Sequence, residues 1–213
     1  LISGATASNY SFTTAPADNG ATFYVKATNL FGSVTSTTAT LTLNVAPAIT
    51  TQPQNLAVTT GQSATFSVTA TGTPAPTYQW YRSGLGLGSN GSITGATSST
   101  FTIASAAIGD AGGYYVVVTN SAGSVTSSIA TLTVYAPPVI TTQPANQTVT
   151  AGQIATFSVA ATGNPAPTYQ WQKNGVAITG ATSSSYTTPV TVIGDNGAVF
   201  SVILSNAGGS AAS

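Results

Sequence analysis

The stretch Pro74-Ala75-Pro76-Thr77-Tyr78-Gln79-Trp80 returns as Pro165-Ala166-Pro167-Thr168-Tyr169-Gln170-Trp171, an offset of 91 residues (171 minus 80). Working outward, Thr51-Gln52-Pro53, Gly61-Gln62 and Ala64-Thr65-Phe66-Ser67-Val68 return at the same offset. Their second copies are Thr142-Gln143-Pro144, Gly152-Gln153 and Ala155-Thr156-Phe157-Ser158-Val159. A repeat of this period is one structural unit laid down in series. Such a unit is more often a spacer, a fibre or a binding array than a one-site enzyme.

Local patterning gives the class of the unit. Phe66, Val68 and Ala70 alternate with Thr65, Ser67 and Thr69, the two-residue period of a half-buried strand. Tyr114, Val116 and Val118 alternate in the same way, as do Ala130, Leu132 and Val134, and earlier Ala39, Leu41, Leu43 and Val45. Asn174-Gly175, between Trp171-Gln172-Lys173 and Val176-Ala177-Ile178, is a two-residue hairpin signal. Helix signals are nearly missing. Short strands punctuated by Gly, Pro, Asn and Ser predict an all-β fold of antiparallel sandwiches.

The repeat divides the 213 residues into a partial unit at 1–45 with later strands only, a complete unit at 46–135, and a third at 136–213. The third stops before any counterpart of Ala130-Thr131-Leu132-Thr133-Val134, and Leu1-Ile2-Ser3-Gly4-Ala5-Thr6 resembles the mid-unit stretch Ile93-Thr94-Gly95-Ala96-Thr97. The chain is therefore expected to be a window on a longer array. A last strand for the third unit supplied by another subunit is one way to complete it. The joints, Val45-Ala46-Pro47-Ala48 and Val134-Tyr135-Ala136-Pro137-Pro138, are short and carry proline. They are expected to act as semi-rigid spacers that set the units end to end as a rod-like array.

Composition excludes several classes. There are three acids (Asp18, Asp110, Asp195), three bases (Lys26, Arg82, Lys173), no Glu, no His and zero net charge. Scattered charges that sum to zero leave no electrostatic footprint for nucleic acid or anionic lipid. No apolar run approaches the roughly 20 residues of a membrane-spanning helix, so no membrane insertion is expected within this segment. Apolar residues make up 42% of the chain, which still supports small packed cores. Without His, Cys or Glu the common general bases and nucleophiles are missing, and no carboxylates pair for glycoside hydrolysis. The chain is not expected to be an enzyme.

No cofactor or metal is expected either. One acid per unit falls short of the six to eight oxygens, several of them carboxylate, that calcium takes. The Gly-rich stretch at 84–91, part of a six-residue insertion relative to the third unit (ten residues after Arg82 against four after Lys173), lacks the lysine and helix of a phosphate loop. It is expected to be a mobile hairpin tip. The absence of Cys and Met removes two oxidation-prone side chains, which suits an extracellular or cell-surface location.

The middle unit resembles an immunoglobulin domain of the I-set type. Phe66-Ser67-Val68, Trp80 and Asn120-Ser121-Ala122-Gly123 fit its strands and turn, and Asp110-Ala111-Gly112-Gly113-Tyr114-Tyr115-Val116 fits the family's D-x-G-x-Y-x-C motif. The resemblance implies tandem immunoglobulin-like β-sandwiches of Greek-key topology. Both disulfide positions are valine here: Val68 and Val116, with Val159 and Val202 in the third unit and Val25 in the first. A disulfide contributes roughly 2–5 kcal/mol to a small domain. Two buried valines recover part of that, at about 1.5–3 kcal/mol each. Cysteine-free repeats rich in Thr, Ser, Ala and Gly are similar to those of large bacterial surface and secreted proteins.

The resemblance also implies that Trp80 and Trp171 are core rather than sugar-stacking platforms. It makes Tyr114 a tyrosine corner whose hydroxyl bonds the backbone. Phe23 and Phe200 replace that tyrosine, one residue further from Asp18 and Asp195 than Tyr114 is from Asp110, so their corners must be built differently. The three aspartates are expected to bond nearby backbone N–H groups. A Lys–Asn cross-link of the kind found in bacterial stalks lacks its buried acid, and Arg82, the counterpart of Lys173, cannot form one.

These readings lead to a structural segment of a bacterial extracellular surface protein or filament, with cell adhesion as an associated role. The alternative is a carbohydrate-binding or spacer module of a secreted multidomain enzyme. The expected partners are neighbouring copies of the same protein, and glycans. Tyr81, Tyr115 and Tyr135, with Tyr24, are the candidate exposed aromatics for such contacts, although Tyr135 also sits where it can pack between units. Asn9-Tyr10-Ser11, Asn90-Gly91-Ser92 and Asn146-Gln147-Thr148 fit the N-glycosylation triplet, as chance alone provides in a chain so rich in Ser and Thr.

Overall fold

The computed structural model describes residues 1–89 and 92–213; Asn90 of the second glycosylation triplet lies outside the described residues. Residues 1–45 hold a 3₁₀ turn, Pro16–Asp18, and four short strands: β1 (Thr22–Phe23), β2 (Lys26–Asn29), β3 (Gly32–Thr35) and β4 (Ala39–Thr40). β2 and β3 form a hairpin, and β1 pairs antiparallel with β4. None of residues 1–45 is buried. Val25, at the position matching Val116, is 59% exposed because this segment closes no core around it. The alternation through Leu41, Leu43 and Val45 does not become one strand. Its counterpart in the middle sandwich is held on two sides, and residues 1–45 provide only one of those neighbours.

The middle sandwich contains β5 (Val45–Thr51), β6 (Leu56–Thr59), β7 (Ala64–Ser67), β8 (Thr69–Thr73), β9 (Thr77–Arg82), β10 (Leu85–Gly86), β11 (Ile93–Thr94), β12 (Thr100–Ile103), β13 (Gly112–Asn120), β14 (Gly123–Thr126) and the first half of β15 (Ala130–Thr142). One sheet runs β10-β9-β13-β15, with β14 on the end of β13 and β6 lying parallel to β15. The facing sheet is β11-β12-β7. The two-residue period puts Phe66, Phe101 and Ile103 on one inner face and Trp80, Tyr114, Val116, Val118, Leu132 and Val134 on the other, all buried. The Trp80 ring lies 5.6 Å from that of Phe101 and 6.1 Å from that of Phe66, and its Nε1 donates to the Ser98 carbonyl at 2.8 Å. Val68 and Val116 are 4% and 0% exposed. Apolar burial stands where a covalent bond would cross the sheets.

The joints differ from the expectation of separate linkers. β15 is one continuous strand of 13 residues. Its first half closes the middle sandwich against β13 and β6; its second half opens the third sandwich by pairing with β17 (Ala160–Asn164). Proline has no N–H to give a ladder and is tolerated at bulges, and the register of β15 shifts between Ala136 and Val139, where Pro137 and Pro138 lie. β5 repeats the device, shifting between Val45 and Ala48 around Pro47.

The third sandwich adds β16 (Thr156–Ser158), β18 (Thr168–Lys173), β19 (Val176–Ala177), β20 (Ser185–Thr187), β21 (Phe200–Asn206) and β22 (Gly209–Ala212). Asn174 and Gly175 take φ of 51° and 79° between β18 and β19, the positive values that a type I′ hairpin turn demands. Its smaller core buries Val159, Trp171, Val202 and Leu204. Of the Gly-rich stretch expected to be a mobile hairpin tip, residues 90–91 lie outside the described residues and 85–87 are anchored. Leu85–Gly86 pairs with β9, and the Leu87 carbonyl accepts a 2.7 Å bond from Gln79 Nε2.

Candidate functional site

The three aspartates, with Arg82 and Lys173, sit at the corners and serve the fold. Asp18, Asp110 and Asp195 each accept, through Oδ2, the backbone N–H three residues upstream, at 2.7, 2.9 and 2.9 Å. In the middle sandwich the Tyr114 hydroxyl donates to the Asp110 carbonyl at 2.8 Å, and Arg82 Nη2 donates to the carbonyls of Gly109 and Ala111. Burial pushes the Tyr114 phenol above its ordinary pKa. Where phenylalanine replaces that tyrosine, the extra residue lets a backbone amide take over: Ala21 N donates to the Asp18 carbonyl and Ala198 N to the Asp195 carbonyl, each at 3.0 Å. Lys173 Nζ meets Asp195 Oδ1 at 2.5 Å. That hydrogen bond, helped by the Val192 amide, holds the Asp195 carboxyl below its usual pKa. Among the described residues no group of three or more His, Cys, Asp or Glu could hold a metal ion.

The joints carry the most specific geometry. β13 and β21 both end in asparagine, and each side chain reaches across to the strand that enters its sandwich. Asn120 Nδ2 donates to the carbonyls of Val45 (2.8 Å) and Pro74 (2.9 Å), while its Oδ1 accepts the Ala122 N–H (2.9 Å). Asn206 Nδ2 donates to the carbonyls of Ala136 (2.8 Å) and Pro165 (2.7 Å), while its Oδ1 accepts the Gly208 N–H (2.8 Å). Each amide fills space kept open by a glycine. A Cβ on Gly72 would lie 3.0 Å from Asn120 Nδ2, and one on Gly163 would lie 2.9 Å from Asn206 Nδ2. At the second joint Gly208 lets the turn sit flat on the strand; a Cβ there would meet Pro137 N at 3.0 Å and Tyr135 Cβ at 3.1 Å. In the sequence, 120–123 reads only as a turn, without the clamp. Its signal was present in the recurrence of Asn29, Asn120 and Asn206 at equivalent positions.

The remaining candidates fall in three places. Trp80, Trp171, Val68, Val116, Val159, Val202 and Tyr114 are buried and open to no solute. Tyr135 is half-buried at the second joint, its carbonyl accepting the Thr60 N–H at 2.8 Å. Tyr81 and Tyr115 face each other across β9 and β13 on the outer side of the sheet, rings parallel within 6° and centroids 5.2 Å apart. Both were expected to be exposed; mutual stacking leaves them half-buried. The equivalent positions in the third sandwich are Gln172 and Ser201, so this pair belongs to the middle sandwich. Tyr24 is exposed, as are Asn9 and Asn146.

Residues 47–134 match the immunoglobulin I-set domain family and residues 137–207 the immunoglobulin domain family. The chain holds two immunoglobulin domains in tandem. The chain is 40% identical over 174 residues to endoglucanase C of Cellulomonas fimi, covering 78% of this chain and 15% of that protein. It is 38% identical over 148 residues to roundabout homolog 1 of Homo sapiens, covering 70% of this chain and 9% of that protein. The chain thus spans a small part of these relatives. Among solved structures, the I67–I69 fragment of titin superposes with a TM-score of 0.64 at 23% identity, covering 79% of this chain and 63% of that one, a likeness of fold. No helix among the described residues is long and apolar enough to cross a membrane.

Proposed function

We propose that this chain is a spacer, a rod-like structural segment of an extracellular or cell-surface protein whose immunoglobulin domains are held at fixed joints. The observation that carries this reading is the construction of the joints: a proline bulge and an asparagine clamped into a glycine gap at both, and at the second a single strand shared by two domains. A flexible tether would need none of these parts. The sequence, free of cysteine and methionine and nearly without charge, supports a bacterial surface protein or filament. The nearly uncharged surface offers little long-range repulsion to lateral contact between copies. Small-angle scattering tests the reading. A rod gives one maximum dimension that does not change with salt, whereas a broad, salt-sensitive distribution of dimensions overturns it.

A second reading, spacer or carbohydrate-contacting modules of a secreted multidomain enzyme, is favoured by the similarity to an endoglucanase. In that setting this segment is not the catalytic part, and Tyr81 with Tyr115 offers the aromatic surface for a sugar ring. A glycan array separates the two readings. Binding that vanishes in a Tyr81→Ala, Tyr115→Ala variant supports the carbohydrate role, and a blank array leaves the structural one.

A further inference from the structure

The outer face of the middle sandwich holds two phenols in the arrangement that oxidative coupling requires. Tyr81 and Tyr115 stand directly opposite across β9 and β13, rings parallel within 6° and centroids 5.2 Å apart. Pairing of the two strands fixes both backbones, so the rings stay together without help from any other group. Gly86, which faces Tyr81 from β10, carries no side chain; a Cβ there would lie 3.5 Å from Tyr81 Cε1. The Tyr81 ring therefore has room to tilt against its partner. Both residues are half-buried, which leaves part of the stack within reach of a dissolved oxidant.

Few other side chains compete for oxidising equivalents. Cys and Met, whose sulfur oxidises readily, are absent, and so is His. Trp80 and Trp171 are closed to solvent. That leaves the nine tyrosines. Tyr114 is buried against Phe66 and Phe101 with its hydroxyl bonded to the Asp110 carbonyl, and Tyr186 lies beside Trp171 and Phe200. Tyr10 stacks on Phe12, and Tyr24 is exposed. Among the described residues, Tyr81 and Tyr115 are the two tyrosine rings that stack on each other. Phenylalanine has no hydroxyl from which to form a phenoxyl radical, so the Tyr–Phe pairs lack this chemistry.

We propose that Tyr81 and Tyr115 are a cross-linking site, joined as dityrosine when the chain meets a one-electron oxidant, namely a haem peroxidase acting on hydrogen peroxide. Each phenol gives up one electron and its hydroxyl proton and becomes a phenoxyl radical. The two radicals join through ring carbons beside their hydroxyls, forming one C–C bond. Each of those carbons then releases its hydrogen as a proton while each oxygen regains one, so two C–H bonds are lost overall. The two electrons and two protons released reduce one hydrogen peroxide to two waters. Rings held in contact react at an effective concentration far above that of freely diffusing chains, which favours a link within one chain over links between chains. The product ties β9 to β13 and closes a span of 34 residues (115 minus 81) in the unfolded chain. It gives a covalent tie to a domain whose disulfide positions are Val68 and Val116. In the third sandwich Gln172 and Ser201 occupy the equivalent places, so the link belongs to the middle sandwich. It rests on the ring pair alone and is independent of the spacer reading.

Treating the dilute 213-residue chain with peroxidase and hydrogen peroxide tests the proposal. The expected product is monomeric, is lighter by two hydrogen atoms, and shows dityrosine fluorescence whose yield per chain is unchanged by tenfold dilution. Peptide mapping should join the segment holding Tyr81 to the one holding Tyr115. Tyr81→Phe and Tyr115→Phe each keep both rings and the sheet content, and each should lose the intramolecular link, whereas Tyr24→Phe should retain it. Oxidant treatment should raise the urea midpoint of the wild-type middle domain and leave that of Tyr81→Phe unmoved. A wild-type chain that gains no dityrosine, that gains it only in dimers joined through Tyr10 or Tyr24, or whose intramolecular product persists in Tyr81→Phe would overturn the assignment.

Discussion

Replacing Asn120 with alanine removes three hydrogen bonds at once: two from Nδ2, to the carbonyls of Val45 and Pro74, and one to Oδ1 from the Ala122 amide. A typical hydrogen bond contributes about 0.5–1.5 kcal/mol net. Asn120 is half-buried, so water replaces part of what is lost and the lower half of the range applies to each bond. The expected loss is about 1.5–3 kcal/mol, divided between the middle domain and its joint. Chemical denaturation reads the domain share. Small-angle scattering reads the joint share as a wider spread of interdomain dimensions, because the bond to Val45 tethers the incoming strand. Gly163→Ala gives an independent check at the second joint. It leaves Asn206 present but brings a Cβ to 2.9 Å from Nδ2 and 3.4 Å from the Pro138 Cα, so it should loosen that joint in the same sense. The clamp is refuted if Asn120→Ala shifts stability by less than about 0.3 kcal/mol, below one ordinary hydrogen bond, and leaves the scattering profile unchanged.

Three further outcomes follow from the corners and the core. Tyr114→Phe should destabilise the middle domain by about 1 kcal/mol, while Phe200→Tyr should give no gain, because the Asp195 carbonyl already accepts the Ala198 amide; equal and opposite shifts by denaturation would contradict this account. Val116→Ala, at a fully closed position, should cost about 1.5–3 kcal/mol from two lost methyl groups at roughly 0.8 kcal/mol each plus a cavity; a shift below half of that in urea unfolding would mean the site collapses freely. Stability should be flat across neutral pH and fall at both extremes. The lowered Asp195 pKa gives a contribution present above the unfolded carboxylate value near about 4 and lost as pH falls through the folded one. The raised Tyr114 pKa gives one present below about 10 and lost as pH climbs through the folded phenol value. A stability maximum displaced to acid pH would show that other groups dominate.

Much of this architecture was legible one residue at a time. Alternation at 64–70, 114–118 and 130–134 named the strands, because burial on one face of a pleated chain imposes a two-residue period whatever the partner strand is. Asn174-Gly175 named a hairpin, because few other pairs accept positive φ twice in succession. The valines in place of cysteines, and the tryptophans, were legible as core through the resemblance to the immunoglobulin domain, whose indole packs against the position where its two sheets are bridged.

The seat of the proposed function lay beyond that reach. Val134-Tyr135-Ala136-Pro137-Pro138 reads as a linker by composition, and it is strand only because β6 comes alongside Val134 and Tyr135 while β17, from 20 or more residues away, pairs with Ala136 and resumes beyond the bulge. Asn120 and Asn206 read as turn residues; that their amides span the joint depends on Gly72 and Gly163 being brought beneath them. Tyr81 and Tyr115 read as exposed, and the register of β9 against β13 stacks them instead. Sequence alone determined the unit, its strands and its core, since each follows from the local match between side-chain polarity and backbone period. Only the tertiary structure decided how one unit is held to the next, because those bonds join residues whose separation along the chain carries no information about their distance in space.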